Sequence, residues 1–89
     1  MFQVGLSNQA EKFIESGAIS EEKLLDLFDK FIDLIDGADV NIDVIKLKGK
    51  WRGFYRLRFG AIRIIFKVNF EKHYIYVKRI DFRKDTYRR

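Results

Sequence analysis

The chain has 89 residues, 47% of them hydrophobic and 16% aromatic, so it is long enough for one small folded domain and too apolar for a disordered segment. It contains no cysteine, which excludes disulfides and thiolate metal sites. No segment approaches the roughly 18 apolar residues that span a bilayer, and the first residues do not resemble a signal peptide. We therefore expect residues 1–89 to form a single domain of a cytoplasmic protein.

The formal net charge of +5 conceals an acidic and a basic half. Residues 1–43 hold 3 Lys and Arg against 10 Asp and Glu, a balance of −7, whereas residues 44–89 hold 15 against 3, a balance of +12. A basic half of this kind favours a polyanionic partner such as nucleic acid. The alternative is that an acidic helix face and a basic sheet face attract each other within the domain.

The acidic half is predicted to form one strand and two helices. Phe2–Leu6 is short and apolar, as is typical of a strand, and Ser7 or Asn8 can cap a short first helix. Ser20 is the predicted N-cap of a second helix, which ends at Gly37 because glycine suits the left-handed conformation that follows many helices. Apolar residues fill half of the circumference of this second helix. Packing over a sheet explains this stripe, and its width leaves open that part of it docks another chain.

The basic half is predicted to form strands. Val44–Lys48 is a candidate short strand or extended arm. In Phe54–Val68, two alternating runs meet at Gly60, which predicts a tight hairpin with one buried and one exposed face. His73–Ile80 alternates in the same way and predicts another strand, with His73 on its surface. The expected class is α+β: an N-terminal strand and a two-helix hairpin packed on one face of an antiparallel sheet, in the order β-α-α-β-β-β.

The hairpin places Arg56, Arg58 and Arg63 on or near the exposed face of a rigid sheet. Arginine binds phosphate oxygens in a bidentate manner and stays charged, so such a cluster suits a phosphodiester that gains charge during a reaction. Solubility and protection of the sheet against aggregation are the alternative explanation. Trp51 is equally consistent with a core position and with a nucleobase contact. The residues expected to attract RNA without taking part in the chemistry are Lys46, Lys48, Lys50 and Arg52.

Taken together, these features resemble the RelE/ParE superfamily of bacterial and archaeal toxins. The likeness rests on Leu47-Lys48-Gly49, on the pattern Tyr-Arg-Leu-Arg-x-Gly-x-x-Arg over residues 55–63, and on Arg83 followed by Tyr87 near the end of the chain. It implies the toxin of a type II toxin–antitoxin system. RelE-like members are ribosome-dependent endoribonucleases that cut mRNA without a metal, by attack of a ribose 2′-hydroxyl on the adjacent phosphate.

The resemblance also implies site residues and partners. The positions that match the family's catalytic residues are Arg56, Arg58, Arg63, Arg83 and Tyr87. The implied partners are a cognate antitoxin, the ribosome and mRNA, with no membrane, metal or small-molecule cofactor. Two positions depart from the family pattern: relatives often have lysine in the pair at 56 and 58, and many have histidine where Phe82 stands. The chain therefore lacks an obvious general base, since the pKa of arginine lies above about 12.

Two alternatives to the nuclease stay open. ParE-like members share the fold but poison DNA gyrase and cut nothing. A catalytically degenerate relative would only bind RNA or its antitoxin. The pairing of Arg83 with Tyr87 favours the nuclease over the gyrase inhibitor, whereas Phe82 and the missing base favour the degenerate relative.

Overall fold

The computed structural model describes residues 2–82, so the predictions for Arg83 and Tyr87 lie outside the described residues. Two helices cover one face of a five-stranded sheet. The elements in chain order are β1 (Gln3–Leu6), α1 (Asn8–Glu15), α2 (Glu21–Ile35), β2 (Asp43–Lys46), a 3-10 turn (Gly49–Trp51), β3 (Tyr55–Phe59), β4 (Ile62–Asn69) and β5 (Tyr74–Phe82).

The strands are arranged in the order β1-β5-β4-β3-β2. Neighbours from β2 to β5 pair antiparallel, while β1 pairs with β5 in parallel. The α+β class and the helix layer are confirmed. The sheet is mixed rather than fully antiparallel, because the first strand lies parallel to the last. It has one strand more than expected, because Asp43–Lys46 forms an edge strand beside β3.

Both helices begin at the predicted caps. The backbone N–H of Ala10 donates to Ser7 Oγ at 3.1 Å, and that of Lys23 donates to Ser20 Oγ at 3.0 Å. Each bond satisfies one of the amides that the first turn of a helix leaves without a partner. After α2, Gly37 takes a φ of +99°, the left-handed conformation expected there. Within residues 2–82, neither helix is long and apolar enough to cross a membrane.

The core lies between the helices and one face of the sheet. Phe66 on β4 occupies its centre, where the rings of Phe28 and Phe31 from α2 meet it edge to face at 4.9 and 5.0 Å. Such aromatic pairs add stabilisation beyond the burial of their apolar area. The apolar stripe of α2 is therefore mostly core, and Leu25 and Ile35 remain exposed beside it. The opposite face of the sheet, which the helices do not cover, is called the open face below.

Candidate functional site

Two rows of side chains cross the open face from strand to strand, the first charged throughout and the second alternating isoleucine with arginine. In one row, the register aligns Asp43 with Arg58, Arg58 with Arg63, and Arg63 with Asp81. The other row runs Ile45, Arg56, Ile65 and Arg79. The rows are two residues apart along each strand, so their side chains lie on the same face. The structure thus brings the three predicted hairpin arginines together and adds a fourth, Arg79.

A β-bulge in β5 determines which of its residues reach this face. The register shifts at Lys78, which has no partner on β4. Val77 before the bulge and Ile80 after it are both buried in the core. Because side chains alternate along a strand, the extra residue turns Arg79 and Asp81 to the open face. In an unbroken strand the same two residues would point at the helices.

The start of α1 holds the bulged segment of β5. Where β1 ends, Ser7 Oγ donates to the carbonyl of Lys78 at 2.7 Å. The side-chain amide of Gln9 then takes the place of a strand neighbour: it donates to the carbonyl of Ile80 at 2.5 Å and accepts from the N–H of Ile80 at 2.8 Å. These bonds satisfy backbone groups that would otherwise lack a partner, and so fix the strand on which Arg79 lies.

Asp43 on β2 pairs with two arginines of β3. Nη2 of Arg56 donates to Oδ1 of Asp43 at 2.8 Å, and Nε of Arg58 lies 3.6 Å from Oδ2. The side chain of Arg56 is only 12% exposed, and a guanidinium so far removed from water needs such an acceptor. Arg56 is therefore anchored in the sheet rather than presented to solvent.

Asp81 on β5 pairs with the other two arginines. Nε of Arg79 donates to Oδ2 of Asp81 at 2.8 Å, and Nε of Arg63 lies 3.5 Å from Oδ1. The side chain of Asp81 is only 6% exposed, and no other charged residue is buried within residues 2–82. Burial of a carboxylate requires positive partners, and these two guanidiniums supply them.

The three hairpin arginines lie on the open face, as expected, but ion pairs limit their exposure. Arg56, Arg58 and Arg63 are partly buried, because each lies against an aspartate of the same sheet. The acidic residues of the helices do not form these pairs in residues 2–82. Four arginines against two aspartates leave this cluster with a net charge of +2 (4 − 2). We call these six residues the arginine cluster.

A cavity of about 910 Å³ opens beside the Asp81 half of the arginine cluster. Arg63, Arg79 and Asp81 line one side, and Lys50 and Trp51 of the 3-10 turn line another. Trp51 packs edge to face on Phe54 at 5.4 Å and is not part of the buried core. Lys78 also lines the cavity, which therefore combines guanidiniums, two ammonium groups and an aromatic ring, groups that suit a phosphate and a base of single-stranded RNA.

The four lysines and arginines predicted to attract RNA are not all at this cavity. Lys50 lines it, whereas Lys46, Lys48 and Arg52 line a separate pocket of about 420 Å³ around Gly53. The loop between Gly49 and Gly53 turns between them, so that residues close in sequence line different pockets. Their role in attracting RNA stays a prediction.

Two residues that bear on the missing base lie away from the arginine cluster. Phe82, at the position where many relatives have histidine, packs on Phe13 of α1 with ring centroids 5.1 Å apart, so its side chain points to the helix layer. His73 lies in the turn before β5 rather than in the strand, with its ring 5.0 Å from that of Phe2. Neither side chain belongs to the arginine cluster.

Sequence reasoning missed Arg79, Asp43 and Asp81. The sequence did carry one signal for the first and last of these. The apolar positions of β5 change phase at the consecutive charged residues Lys78 and Arg79, as they do at a bulge. For Asp43 no local signal exists, because its partners are 13 and 15 positions away on another strand.

Several solved structures have a fold similar to that of this chain. No family model matches the sequence, and no curated protein matches it. A solved structure of a YafQ mutant from E. coli superimposes with a TM-score of 0.65 at 15% identity, covering 98% of this chain and 99% of that one. The RelB–RelE antitoxin–toxin complex from Methanococcus jannaschii gives a TM-score of 0.62 at 22% identity, with coverage of 94% and 95%.

A third structure, an archaeal RelE–RelB complex from Pyrococcus horikoshii, has a TM-score of 0.57 at 27% identity and covers 92% of this chain and 94% of that one. In all three cases the matched region covers more than nine tenths of both chains. The chain therefore has the fold of the RelE-like toxins, and the resemblance stated from the sequence is confirmed.

Proposed function

We propose that this protein is the toxin of a type II toxin–antitoxin system and that it cuts mRNA on the ribosome, which arrests translation and growth. The observation that carries the proposal is the convergence of four arginines on the open face of a RelE-like fold, with Arg63 and Arg79 bordering a cavity. A target on the ribosome also implies that the protein acts in the cytoplasm.

The proposed reaction is attack of a ribose 2′-hydroxyl on the adjacent phosphate. It forms a bond from the 2′-oxygen to phosphorus and breaks the bond from phosphorus to the 5′-oxygen, which leaves with a proton. The phosphorane between these states carries more negative charge than the starting phosphodiester. Fixed guanidiniums stabilise such developing charge without reorganising, which is often the largest single contribution to catalysis. Arg58 and Arg63, adjacent on β3 and β4, are the residues proposed for this role, with Arg83 and Tyr87 of the tail.

A cognate antitoxin is the proposed protein partner. Two of the structurally similar chains are described as complexes with RelB. In this chain, Leu25 and Ile35 on α2 are exposed apolar residues that a partner segment would cover. An acidic or amphipathic segment is expected, because it would neutralise the arginine cluster as well.

The test is primer extension on a reporter mRNA after the protein is induced without its antitoxin. The nuclease produces discrete new 5′ ends inside codons. Arg63→Ala should lower this cleavage by about 100-fold or more, because it removes one charge-stabilising group. Lys30→Ala is the matched control: it removes an exposed cation from α2, where Lys30 pairs with Asp26 at 3.4 Å. Thermal melting of both variants shows whether they fold.

Three outcomes contradict the proposal in different ways. Stabilised gyrase–DNA breaks in place of new mRNA ends would identify a gyrase inhibitor. Antitoxin binding with neither cleavage nor breaks would identify a degenerate relative. Undiminished cleavage by folded Arg63→Ala would leave a nuclease but reject its proposed site.

A further inference from the structure

We propose that Arg79 is an additional phosphate-binding residue of this site and that Asp81 is a positioning residue that holds Arg79 and Arg63 for it. This inference rests on the proposed function. It concerns two residues that the family pattern does not mark, and it starts from the burial of Asp81 rather than from the hairpin arginines.

In both ion pairs, Asp81 approaches the arginine from its Nε side. Nε of Arg79 donates a hydrogen bond to Asp81 at 2.8 Å, whereas Nε of Arg63 lies 3.5 Å from Oδ1 in an ion pair without a hydrogen bond. A guanidinium held by its Nε side keeps its two Nη groups for another acceptor. Within residues 2–82, no hydrogen bond occupies the Nη groups of either arginine. Asp81 thus orients the fork of Arg79 through a hydrogen bond and holds that of Arg63 close by charge, and the free donors of both forks match the oxygens of a phosphate.

Exposure separates the roles of the two residues. The side chain of Arg79 is 47% exposed and lines the cavity, so a ligand can reach it. Asp81 lines the same cavity, but its Oδ1 is buried and accepts no hydrogen bond in the described chain. Its Oδ2 already accepts from Nε of Arg79 at 2.8 Å. Because one oxygen is buried and the other is bonded to a guanidinium, we do not assign Asp81 the role of the missing general base. Its effect on the reaction is exerted through Arg63 and Arg79.

Two other roles for Asp81 make different predictions. If Asp81 only stabilises the fold, its loss lowers the melting temperature and leaves the reaction of the folded protein unchanged. If it competes with phosphate for the arginines, its removal strengthens RNA binding and speeds cleavage. A positioning residue differs from both: without it, cleavage slows although the net charge of the cluster rises.

The experiment compares wild type, Arg79→Ala, Asp81→Asn and the double variant. Cleavage is measured on purified ribosomes programmed with a defined mRNA. Binding is measured with a single-stranded oligonucleotide of 2′-O-methyl RNA, which cannot be cleaved, over a series of salt concentrations. Lys30→Ala is the control for Arg79→Ala, since its side chain is 45% exposed and is also paired with an aspartate.

Arg79→Ala should reduce the slope of log affinity against log salt by about 0.7, the value for one phosphate contact to a single strand. Asp81→Asn should lower the cleavage rate by about 10- to 100-fold, since small misplacements of reacting groups have effects of this size. It should not reduce the salt slope. In the Arg79→Ala background, Asp81→Asn should have a smaller effect, because part of its action passes through Arg79.

Several results would overturn the inference. Unchanged cleavage by folded Asp81→Asn, or faster cleavage, excludes positioning. A salt slope for Arg79→Ala equal to that of Lys30→Ala excludes the phosphate contact. If Asp81→Asn does not fold, Arg79→Lys decides in its place: it keeps the charge but has no Nε fork, so it should retain the salt slope and lose cleavage. A wild-type protein that binds through Arg79 but never cleaves would overturn the proposed function and leave the phosphate contact standing.

Discussion

The ion pair between Asp43 and Arg56 should contribute more to stability than an ordinary surface pair. Asp43→Ala removes the acceptor 2.8 Å from a guanidinium whose side chain is 12% exposed. A hydrogen bond to a charged group contributes about 1.5–3 kcal/mol. Asp43 itself is half exposed, which favours the lower part of that range. We expect the free energy of unfolding to fall by about 2 kcal/mol, a large share of the roughly 5–12 kcal/mol of a domain this size.

Asp26→Ala on α2 is the matched control. Asp26 and Asp43 have side chains of equal exposure, 51%, and each lies near two cations. The partners of Asp26 are exposed lysines at 3.6 and 3.4 Å, so those pairs contribute little. Alanine also favours the helix by about 0.6 kcal/mol, which offsets their loss. We expect Asp26→Ala to change the free energy of unfolding by less than about 0.5 kcal/mol.

Thermal and urea denaturation measure both variants. A loss of about 2 kcal/mol corresponds to a fall in melting temperature of about 10 °C for a chain of this length. Salt at about 0.5 M screens pairs of exposed charges. The difference in stability between the variants should persist at this concentration, because Arg56 is shielded from solvent. Equal effects of Asp43→Ala and Asp26→Ala would refute the reasoning and show that Arg56 is hydrated despite its burial.

Two further substitutions test the packing of β5, the strand that carries Arg79 and Asp81. Gly5→Ala would place a Cβ against the hydroxyl oxygen of Tyr74, and because that ring is exposed it can turn aside; we expect a loss of no more than about 1 kcal/mol in urea denaturation, largely recovered by adding Tyr74→Ala. If adding Tyr74→Ala does not recover the lost stability, the strain in Gly5→Ala arises from another contact. Gln9→Ala leaves the N–H and carbonyl of Ile80 without partners, which costs about 1–3 kcal/mol. Amide exchange at Ile80 should accelerate, and unchanged protection would mean that another group replaces Gln9.

Local patterns were sufficient for most of the secondary structure and for one face of the sheet. The alternation of residues 54–68 correctly predicted β3 and β4 because the two-residue period is a property of each strand alone. The same period put Arg56, Arg58 and Arg63 on one side. The caps at Ser7 and Ser20 were predictable for the same reason, since a cap bonds to an amide three residues away.

What the sequence did not reveal depends on register between distant segments. Asp43 entered the sequence reasoning only as one acidic charge among ten, because its position opposite Arg58 follows from the pairing of β2 with β3. Asp81 reaches Arg63 only through the bulge at Lys78. A one-residue change in register moves every following side chain to the other face. Charge counting could therefore detect the basic half but not the two carboxylates that organise it.

These carboxylates alter what a phosphodiester would meet at the proposed site. Four unpaired guanidiniums would attract any polyanion, and such binding strengthens ground state and transition state alike. With Asp43 and Asp81 in place the cluster keeps a net charge of +2 (4 − 2), while hydrogen bonds to the two carboxylates hold Arg56 and Arg79 in fixed directions. Fixed donors favour the phosphorane over the starting diester, because they need not reorganise as charge develops. On the proposed function, the aspartates thus weaken indiscriminate RNA binding and preserve catalysis, an arrangement suited to an enzyme whose mRNA is held for it by the ribosome.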